Sequence, residues 1–324
     1  VGKVWRLAHE LGYNQFKYIL GNQIIDDHYV LFKNTGIPSI DIIDFNYPYW
    51  HTTQDTPDIC SAESLEAVGT VISTLIYREE KNPELVNGES IIKVSASGIC
   101  GSDMHAYHGK DNRRIPPLIL GHEISGIIDK GKSNGKEVVL NPLITCGKCD
   151  YCQSGREHLC NKRIILGMNR PIERQGGFAE YVSIPDQNIY ELPKELSMKE
   201  APIAEPTAVA LHAVELGEQS LSKPIENTKI LVIGGGAIGL LSGLILSKVK
   251  NCKDIVIVDS NNKRLSECVK YLNANAVNPG NKKIILDDHF DIVFDTVGLE
   301  VTREQAIKSI KPGGIIIHIG LTQP

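Results

Sequence analysis

Apolar positions recur along this chain with different spacings, and each spacing predicts a different kind of structure. In the first segment, residues 1 to about 79, VWRLAHELG places an apolar residue at every third or fourth position, which predicts a helix. IPSIDIID is typical of a strand, and a second helix is predicted from Ser61 to Tyr77. The first segment therefore has the alternation of an α/β domain.

The rest of the chain contains two further patterns. Residues 80 to about 206 are rich in predicted strands: IIKVSASG, EVVLNPLIT and FAEYVSIP are separated by Gly and Pro turns. From about 207 to 324, strands alternate with helices; KILVIG, DIVIVD, FDIVFDTVG and GGIIIHIG are apolar runs expected of a parallel sheet buried on both faces. We predict three domains, 1–79, 80–206 and 207–324, with the first boundary in the polar stretch REEKNPELVNGES.

Composition narrows the possible functions. A net charge of −5 over 324 residues is too small to indicate a nucleic-acid or anionic-membrane partner. The sequence shows no signal-peptide pattern, so we expect a cytoplasmic protein. Ile230–Ser247 is uncharged and nearly long enough to span a bilayer, but its clustered glycines favour a strand, turn and helix.

The glycines of this uncharged run have the spacing of a dinucleotide-binding loop. Gly234-x-Gly236-x-x-Gly239 follows a predicted strand and opens a predicted helix, and Asp259 ends the next strand 20 residues after Gly239. Such glycines let the backbone approach a pyrophosphate, and the helix N-terminus offers free amides to it. Asp259 would bind the ribose hydroxyls and repel a 2′-phosphate, which favours NAD over NADP; the alternative is a glycine-rich turn that binds nothing.

Four of the eight cysteines lie close together. Cys146, Cys149, Cys152 and Cys160 fall within fifteen residues at spacings typical of a metal site. Four thiolates complete a tetrahedral shell and leave no open position, so we predict a structural zinc ion. Free thiols or an iron–sulfur cluster are the alternatives.

A second group mixes ligand types. Cys100, His122 and Glu123 offer sulfur, nitrogen and oxygen from GICGSDMH and LGHE, and Glu205 is a candidate fourth ligand. Mixed ligands with room for water or substrate suit a catalytic zinc ion. Taken alone, His122 would more often be a buried structural histidine and Glu123 a solvated charge.

Together these motifs resemble the zinc-dependent medium-chain dehydrogenase/reductase family, particularly its polyol dehydrogenase branch. GICGSDMH, GHE, the four-cysteine lobe, GGFAEY, AEPTAVALHA, VIGGGAIG and DTVG occur in family order from about residue 80 to the end. The resemblance implies a GroES-like, β-rich catalytic domain followed by a Rossmann doubly wound parallel sheet. It also implies zinc and NAD as cofactors, and a small alcohol or polyol as substrate.

The resemblance also implies roles for individual residues. Cys100 and His122 would be catalytic zinc ligands, while Glu123 and Glu205 would bind the metal directly or through water. Ser102 and His105 would form the proton relay, although a turn serine and a surface histidine are the alternatives.

Two departures from the family pattern give further expectations. The chain stops at Pro324, where family members continue, so we expect an incomplete Rossmann sheet with an open edge, lost oligomer contacts and an incomplete substrate pocket. Residues 1–79 do not match the family start; they resemble the C-terminal end of the M28 zinc peptidases, near the glutaminyl-peptide cyclotransferases.

The second resemblance rests on IIDDHYVLF, GIPSIDIID and YPYWHT. It implies that His51 descends from a zinc ligand, Trp50 from a pocket wall and Asp26 from a catalytic acid/base. One histidine cannot hold a catalytic zinc ion, so we expect these three residues to be vestigial. We expect a chimeric chain with a junction near Tyr77–Arg78.

The sequence thus predicts an NAD-dependent zinc alcohol or polyol dehydrogenase. Two alternatives are a non-catalytic fragment that binds NAD and zinc, and residual peptidase or cyclase activity in the first segment.

Overall fold

The structure, a computed structural model, describes residues 2–14, 16, 66, 70, 82–115, 117–169, 172–272, 274–280 and 287–320. The chain divides into two compact units, Val1–Asn82 and Pro83–Pro324. In the first unit, helix α1 spans Gly2–Glu10 and buries Val4, Leu7 and Ala8, as the apolar spacing predicts. The predicted strand IPSIDIID and most of the helix predicted from Ser61 lie outside the described residues.

The first half of the second unit is rich in strands, as predicted. Its elements are β1 (Glu89–Gly98), α2 (Gly101–Tyr107), β2 (Glu123–Lys130), β3 (Glu137–Leu140), β4 (Leu143–Ile144), α3 (Asp150–Gln153), β5 (Ile164–Ile165), β6 (Tyr181–Pro185) and β7 (Ile189–Glu191). Five of the strands form an antiparallel sheet in the order β6-β1-β2-β3-β7, and β4 pairs with β5. The predicted strand EVVLNPLIT is divided between the two sheets, because Pro142 has no amide to continue the ladder.

The second half alternates strands and helices. Its elements are α4 (Ala204–Ser220), β8 (Ile230–Ile233), α5 (Ala237–Leu244), β9 (Ile255–Val258), α6 (Asn262–Tyr271), β10 (Asn275–Val277), β11 (Phe290–Asp295), α7 (Glu300–Ser309) and β12 (Ile310–His318). The five strands are parallel, in the order β10-β9-β8-β11-β12. In chain order this is 3-2-1-4-5, the Rossmann arrangement, whose switch point lies between β8 and β11.

Both faces of the parallel sheet are covered. Residues of β8, β9 and β11 that point to one face pack with α4, α5 and α6, and those that point to the other face pack with Ala306 of α7. All four residues of β8 are buried, which explains why this strand is a continuous apolar run. The uncharged run Ile230–Ser247 is thus a strand, a glycine loop and a helix; among the described helices none has the length and apolar character to cross a bilayer.

Candidate functional site

The antiparallel pairing of β1 and β2 brings the mixed ligand group together. Gly98, at the end of β1, pairs with Glu123, at the start of β2, so Cys100 just beyond β1 lies near His122 just before β2. The ligand atoms of Cys100, His122 and Glu123 all lie within 4.8 Å of one another. His122 is 6% exposed and Glu123 is 9% exposed, so this is an enclosed group of metal-ligand types.

A glycine makes room for the carboxylate. A Cβ atom added to Gly98 would lie 2.0 Å from Glu123 Oε2, well inside any contact distance. Residue 98 therefore has to be glycine for Glu123 to point at Cys100 and His122.

Asp103 is a member of this site that the sequence motifs did not single out. Its Oδ1 lies 3.4 Å from His122 Nδ1, and its Oδ2 accepts a hydrogen bond from the Cys100 amide at 3.1 Å. Asp103 is 2% exposed. Its position three residues after Cys100, in the first turn of α2, is the sequence feature that could have revealed it, because such a residue caps the helix.

The electrostatics of the site favour a cation. Burial alone would lower the pKa of His122, but the close approach and negative charge of Asp103 and Cys100 raise it to about 10. Burial alone would raise the pKa of Cys100. The combined effect of His122 and Ser102 is larger and opposite, so the net shift is downward. A divalent metal would replace the proton that this negative surrounding attracts to His122.

His122 Nδ1 and Asp103 Oδ1 also test the fit of zinc. Both atoms are buried and form no hydrogen bond of good geometry among the described residues, although they face each other at 3.4 Å. A zinc-bound histidine usually donates its other ring N–H to a carboxylate. The arrangement therefore fits a zinc ion held on the opposite side of the ring.

Glu205 stands slightly apart from the three-residue group. It lies half-buried in the first turn of α4. Burial raises its pKa, the charge of His122 lowers it by less, and the charges of Glu123 and Asp103 raise it further. Glu205 thus lies within electrostatic reach of the group, but its carboxylate is outside the set of atoms within 4.8 Å.

The two relay candidates lie on α2. Ser102 is 8% exposed and lies beside Cys100, while His105 is half-buried three residues later. Residues three apart share one face of a helix, so both can face the same side of the site.

The four-cysteine lobe forms one cluster. The sulfur atoms of Cys146, Cys149, Cys152 and Cys160 lie within 4.8 Å of one another, and all four are free thiols. The Lys148 and Cys149 amides lower the pKa of Cys146 to about 6. The Cys152 amide lowers the pKa of Cys149, but burial and the other sulfurs raise it to about 11. Four thiolates this close together repel one another unless a cation lies between them. The cluster therefore fits a structural zinc ion, whose four coordination positions the cysteines would fill.

The glycine loop is a tight turn between β8 and α5. Gly234, just after β8, has a φ of +101°, and a Cβ on Gly239 would lie 1.8 Å from Gly234 O. Gly236 precedes the first turn of α5, and a Cβ added there would meet nothing within 4 Å. Asp259, at the end of β9, accepts a hydrogen bond from the Gly235 amide at 2.8 Å, and Arg264 Nη1 lies 3.6 Å from it.

Three predicted positions cannot be placed. Asp26, Trp50 and His51 lie outside the described residues.

Comparison with known families agrees with the fold. The sequence model of the alcohol dehydrogenase GroES-like domain matches residues 86–194. The model of peptidase family M28 matches residues 2–76.

Individual relatives extend the match into the Rossmann half. L-Threonine 3-dehydrogenase of Pectobacterium atrosepticum is 32% identical over 255 residues, covering 74% of this chain and 68% of the relative. The structure of 2R,3R-butanediol dehydrogenase from Bacillus subtilis is 28% identical, with a TM-score of 0.63, covering 75% of this chain and 73% of that one. The structure of a short chain alcohol dehydrogenase (rspB) from Escherichia coli CFT073, complexed with NADH, is 28% identical, with a TM-score of 0.65. The match covers 76% of this chain and 72% of that one.

The fold and the site define a zinc-type oxidoreductase with a GroES-like and a Rossmann half. The chain belongs to the zinc-dependent medium-chain dehydrogenase family. The zinc-binding and NADH-bound neighbours, together with the cysteine cluster of this chain, give zinc and NAD as its cofactors.

Proposed function

We propose that this chain oxidises a polyol or another secondary alcohol to a ketone and transfers the hydride to NAD. The observation that supports this most directly is the enclosed group of Cys100, His122 and Glu123, whose ligand atoms lie within 4.8 Å. Sulfur, nitrogen and oxygen ligands that leave a position for substrate are typical of catalytic zinc.

Each residue of the group has a proposed part in holding the metal. Cys100 and His122 would bind zinc directly, and Glu123 and Glu205 would bind it directly or through water. Zinc, when bound, lowers the pKa of an alcohol hydroxyl that reaches it. Asp103 would hold the His122 ring in one orientation through Nδ1.

Ser102 and His105 would move the substrate proton. Ser102 is buried beside Cys100 and would accept the proton from the hydroxyl. His105, on the same helical face and partly exposed, would pass it towards solvent.

The cofactor would bind across the switch point of the parallel sheet. The glycine loop at Gly234, Gly236 and Gly239 would hold the pyrophosphate, and Asp259 would accept hydrogen bonds from the adenosine ribose. The negative charge of Asp259 favours NAD, although the nearby Arg264 weakens that preference. NAD, when bound, supplies the hydride acceptor.

The four-cysteine lobe would hold a structural zinc ion, and residues 80–206 and 207–324 would be the catalytic and cofactor domains. We also propose a cytoplasmic location, because the described cysteines are all free thiols.

Metal content and NADH formation test the proposal. Purified wild-type chain should contain two zinc ions, and Cys100→Ser and Cys160→Ser should each lose a different one. NADH formation should be measured with a panel of polyols, secondary alcohols and hydroxy amino acids. Ser102→Ala should lower kcat by about 10²–10⁴-fold, the usual contribution of a proton-transfer residue.

Two outcomes would count against the proposal. If Cys100→Ser leaves the zinc content unchanged, Cys100 does not hold a metal ion and the proposed catalytic site is wrong. Tight NAD binding with two zinc ions but no NADH from any alcohol would instead indicate a non-catalytic binding protein.

A further inference from the structure

Arg114 is a buried arginine close to the candidate catalytic metal group. Its side chain is 2% exposed, and its Nη1 lies 2.6 Å from Asp111 Oδ2. Its Nε donates a hydrogen bond to the Gly167 carbonyl at 3.1 Å. Burying a charged group costs desolvation free energy, even when the group is paired. Stability alone therefore does not explain why Arg114 is buried here.

The preceding residue shows what is specific to Arg114. Arg113 also binds Asp111, with Nε at 2.9 Å from Oδ1 and Nη2 at 3.0 Å from Oδ2, but its side chain is 45% exposed. Asp111 therefore already has a cationic partner at the surface. Only Arg114 is buried and reaches Gly167.

Gly167 packs against the segment that presents His122. A Cβ added to Gly167 would lie 3.2 Å from Gly121 N and 3.3 Å from Gly121 O. Gly121, directly before His122, has a φ of +95°, a conformation that other residues rarely adopt. Movement of the Gly167 turn would therefore be transmitted to the backbone next to His122.

A second loop also holds this segment. The Gly177 amide donates to Gly121 O at 2.8 Å, and the Phe178 amide donates to Leu120 O at 2.9 Å. The residues before His122 are thus held between two loops, one of them bonded to Arg114.

Asn169 joins the two loops that surround Arg114. Its side-chain oxygen accepts a hydrogen bond from the Ile115 backbone amide at 3.0 Å, and its backbone amide donates to Arg113 O at 3.1 Å. Arg114 therefore lies at the centre of a hydrogen-bonded connection between residues 111–115 and 167–169.

We propose that Arg114 is a positioning residue of the catalytic metal centre: through the Gly167 carbonyl, it fixes the turn that presents His122. The inference rests on the proposed metal site. It does not require that the chain turn over substrate.

Metal release from the full-length chain tests this role. Zinc-loaded protein is mixed with a chromophoric chelator, and Cys100→Ser identifies the phase that belongs to the catalytic site. We expect Arg114→Ala to speed that phase by about 10-fold or more, the usual effect of losing a partner behind a metal ligand. The phase of the four-cysteine site should change by less than about twofold, as for a distant substitution.

Arg113→Ala is the matched control. It removes the same kind of side chain from the same carboxylate, but has no bond to Gly167, so both phases should stay within about twofold of wild type. With cobalt in place of zinc, the visible absorption band of the catalytic site should shift in Arg114→Ala and remain unchanged in Arg113→Ala.

The conservative variants extend the test. Lysine keeps the charge but cannot bind Asp111 and Gly167 through a planar fork, so Arg114→Lys should release metal at a rate between wild type and Arg114→Ala. If Arg114→Ala does not fold, Arg114→Lys is compared with Arg113→Lys, and faster release from Arg114→Lys supports the role.

Equal release from the Arg114 and Arg113 variants would overturn the inference, as would equal acceleration of both phases in Arg114→Ala. If wild-type chain lacks the Cys100-dependent phase altogether, the proposed metal site itself fails. The two failures are therefore distinguishable.

Discussion

Asp103 Oδ1 lies 3.4 Å from His122 Nδ1, and both groups are almost fully buried. The other oxygen of the same carboxylate accepts a hydrogen bond from the Cys100 amide at 3.1 Å. One carboxylate therefore contacts both of the candidate ligands that come from separate loops. Its negative charge and its position together favour a metal-bound state of the site.

Replacing this carboxylate should loosen the metal. Asp103→Asn keeps the shape but removes the charge, so we expect zinc affinity at the catalytic site to fall by about 10–100-fold. Competition with a chelator of known affinity measures this. Asp129→Asn, an exposed substitution on β2, should leave the affinity unchanged; an equal loss in both variants would contradict the role of Asp103.

Gly98 gives a second way to disturb the site. Gly98→Ala would place a methyl group 2.0 Å from Glu123 Oε2, so the carboxylate must turn away. We expect loss of zinc from the Cys100 site and little change at the four-cysteine site. Gly101→Ala, where an added Cβ meets nothing within 4 Å, is the control. Full retention of both zinc ions in Gly98→Ala would show that Glu123 is not needed for metal binding.

Cofactor choice should depend on Asp259. The Asp259 carboxylate accepts a hydrogen bond from the Gly235 amide and is proposed to bind the ribose, so Asp259→Ala should weaken NAD binding by about 10-fold, the loss of one or two charged hydrogen bonds. The ratio of NADP to NAD affinity should rise, since Arg264 remains. Fluorescence titration with NADH and NADPH measures both, with the exposed Asp254→Ala as control. An unchanged ratio of NADP to NAD affinity would show that Asp259 does not select the cofactor.

Removal of metal should destabilise the chain chiefly through the four-cysteine lobe. Thermal unfolding with and without a strong chelator should show a lower Tm without metal, because four crowded thiols lose the cation that holds them. Cys160→Ser should abolish this chelator effect, whereas Cys100→Ser should retain it. A chelator effect that survives Cys160→Ser would assign the stabilisation to another site.

Acid should remove a specific contribution of Asp291. Burial alone would raise its pKa, but the Lys229 amide and the side chains of Lys311 and Lys223 lower it to about 2. A carboxyl group whose folded pKa is below its unfolded pKa stabilises the fold above the unfolded value, and this stabilisation is lost as the pH falls through the folded value.

Asp291→Asn should therefore reduce the free energy of unfolding at neutral pH by about 1.5–3 kcal/mol, the range for hydrogen bonds to a charged group. The difference from wild type should narrow as the pH falls from about 4 to about 2. Denaturant unfolding at several pH values checks this, with the exposed Asp287→Asn as control. A difference independent of pH would show that the charge of Asp291 is not responsible.

Local motifs were sufficient to predict much of the fold and site. The glycine loop, the four cysteines and the strands β1, β8, β9, β11 and β12 are encoded in short stretches, where spacing and apolar runs report directly on structure. The short strands β7 and β10 were not predicted, because three residues cannot show a period. β2 was not predicted either, although its sequence EISGIIDK is largely apolar.

The contacts that complete the site could not be read from spacing. The register that sets Gly98 opposite Glu123 depends on how β1 pairs with β2, and the burial of Arg114 beside Gly167 depends on two loops 53 residues apart. Glu205, in the first turn of α4, comes within electrostatic reach of the group but stays outside it. The sequence by itself determined the family, its cofactors and the candidate ligand types, because ligand types and local spacing are properties of the chain. Only the tertiary structure decided which side chains support those ligands, because burial and distance between remote residues arise when the sheets and loops pack.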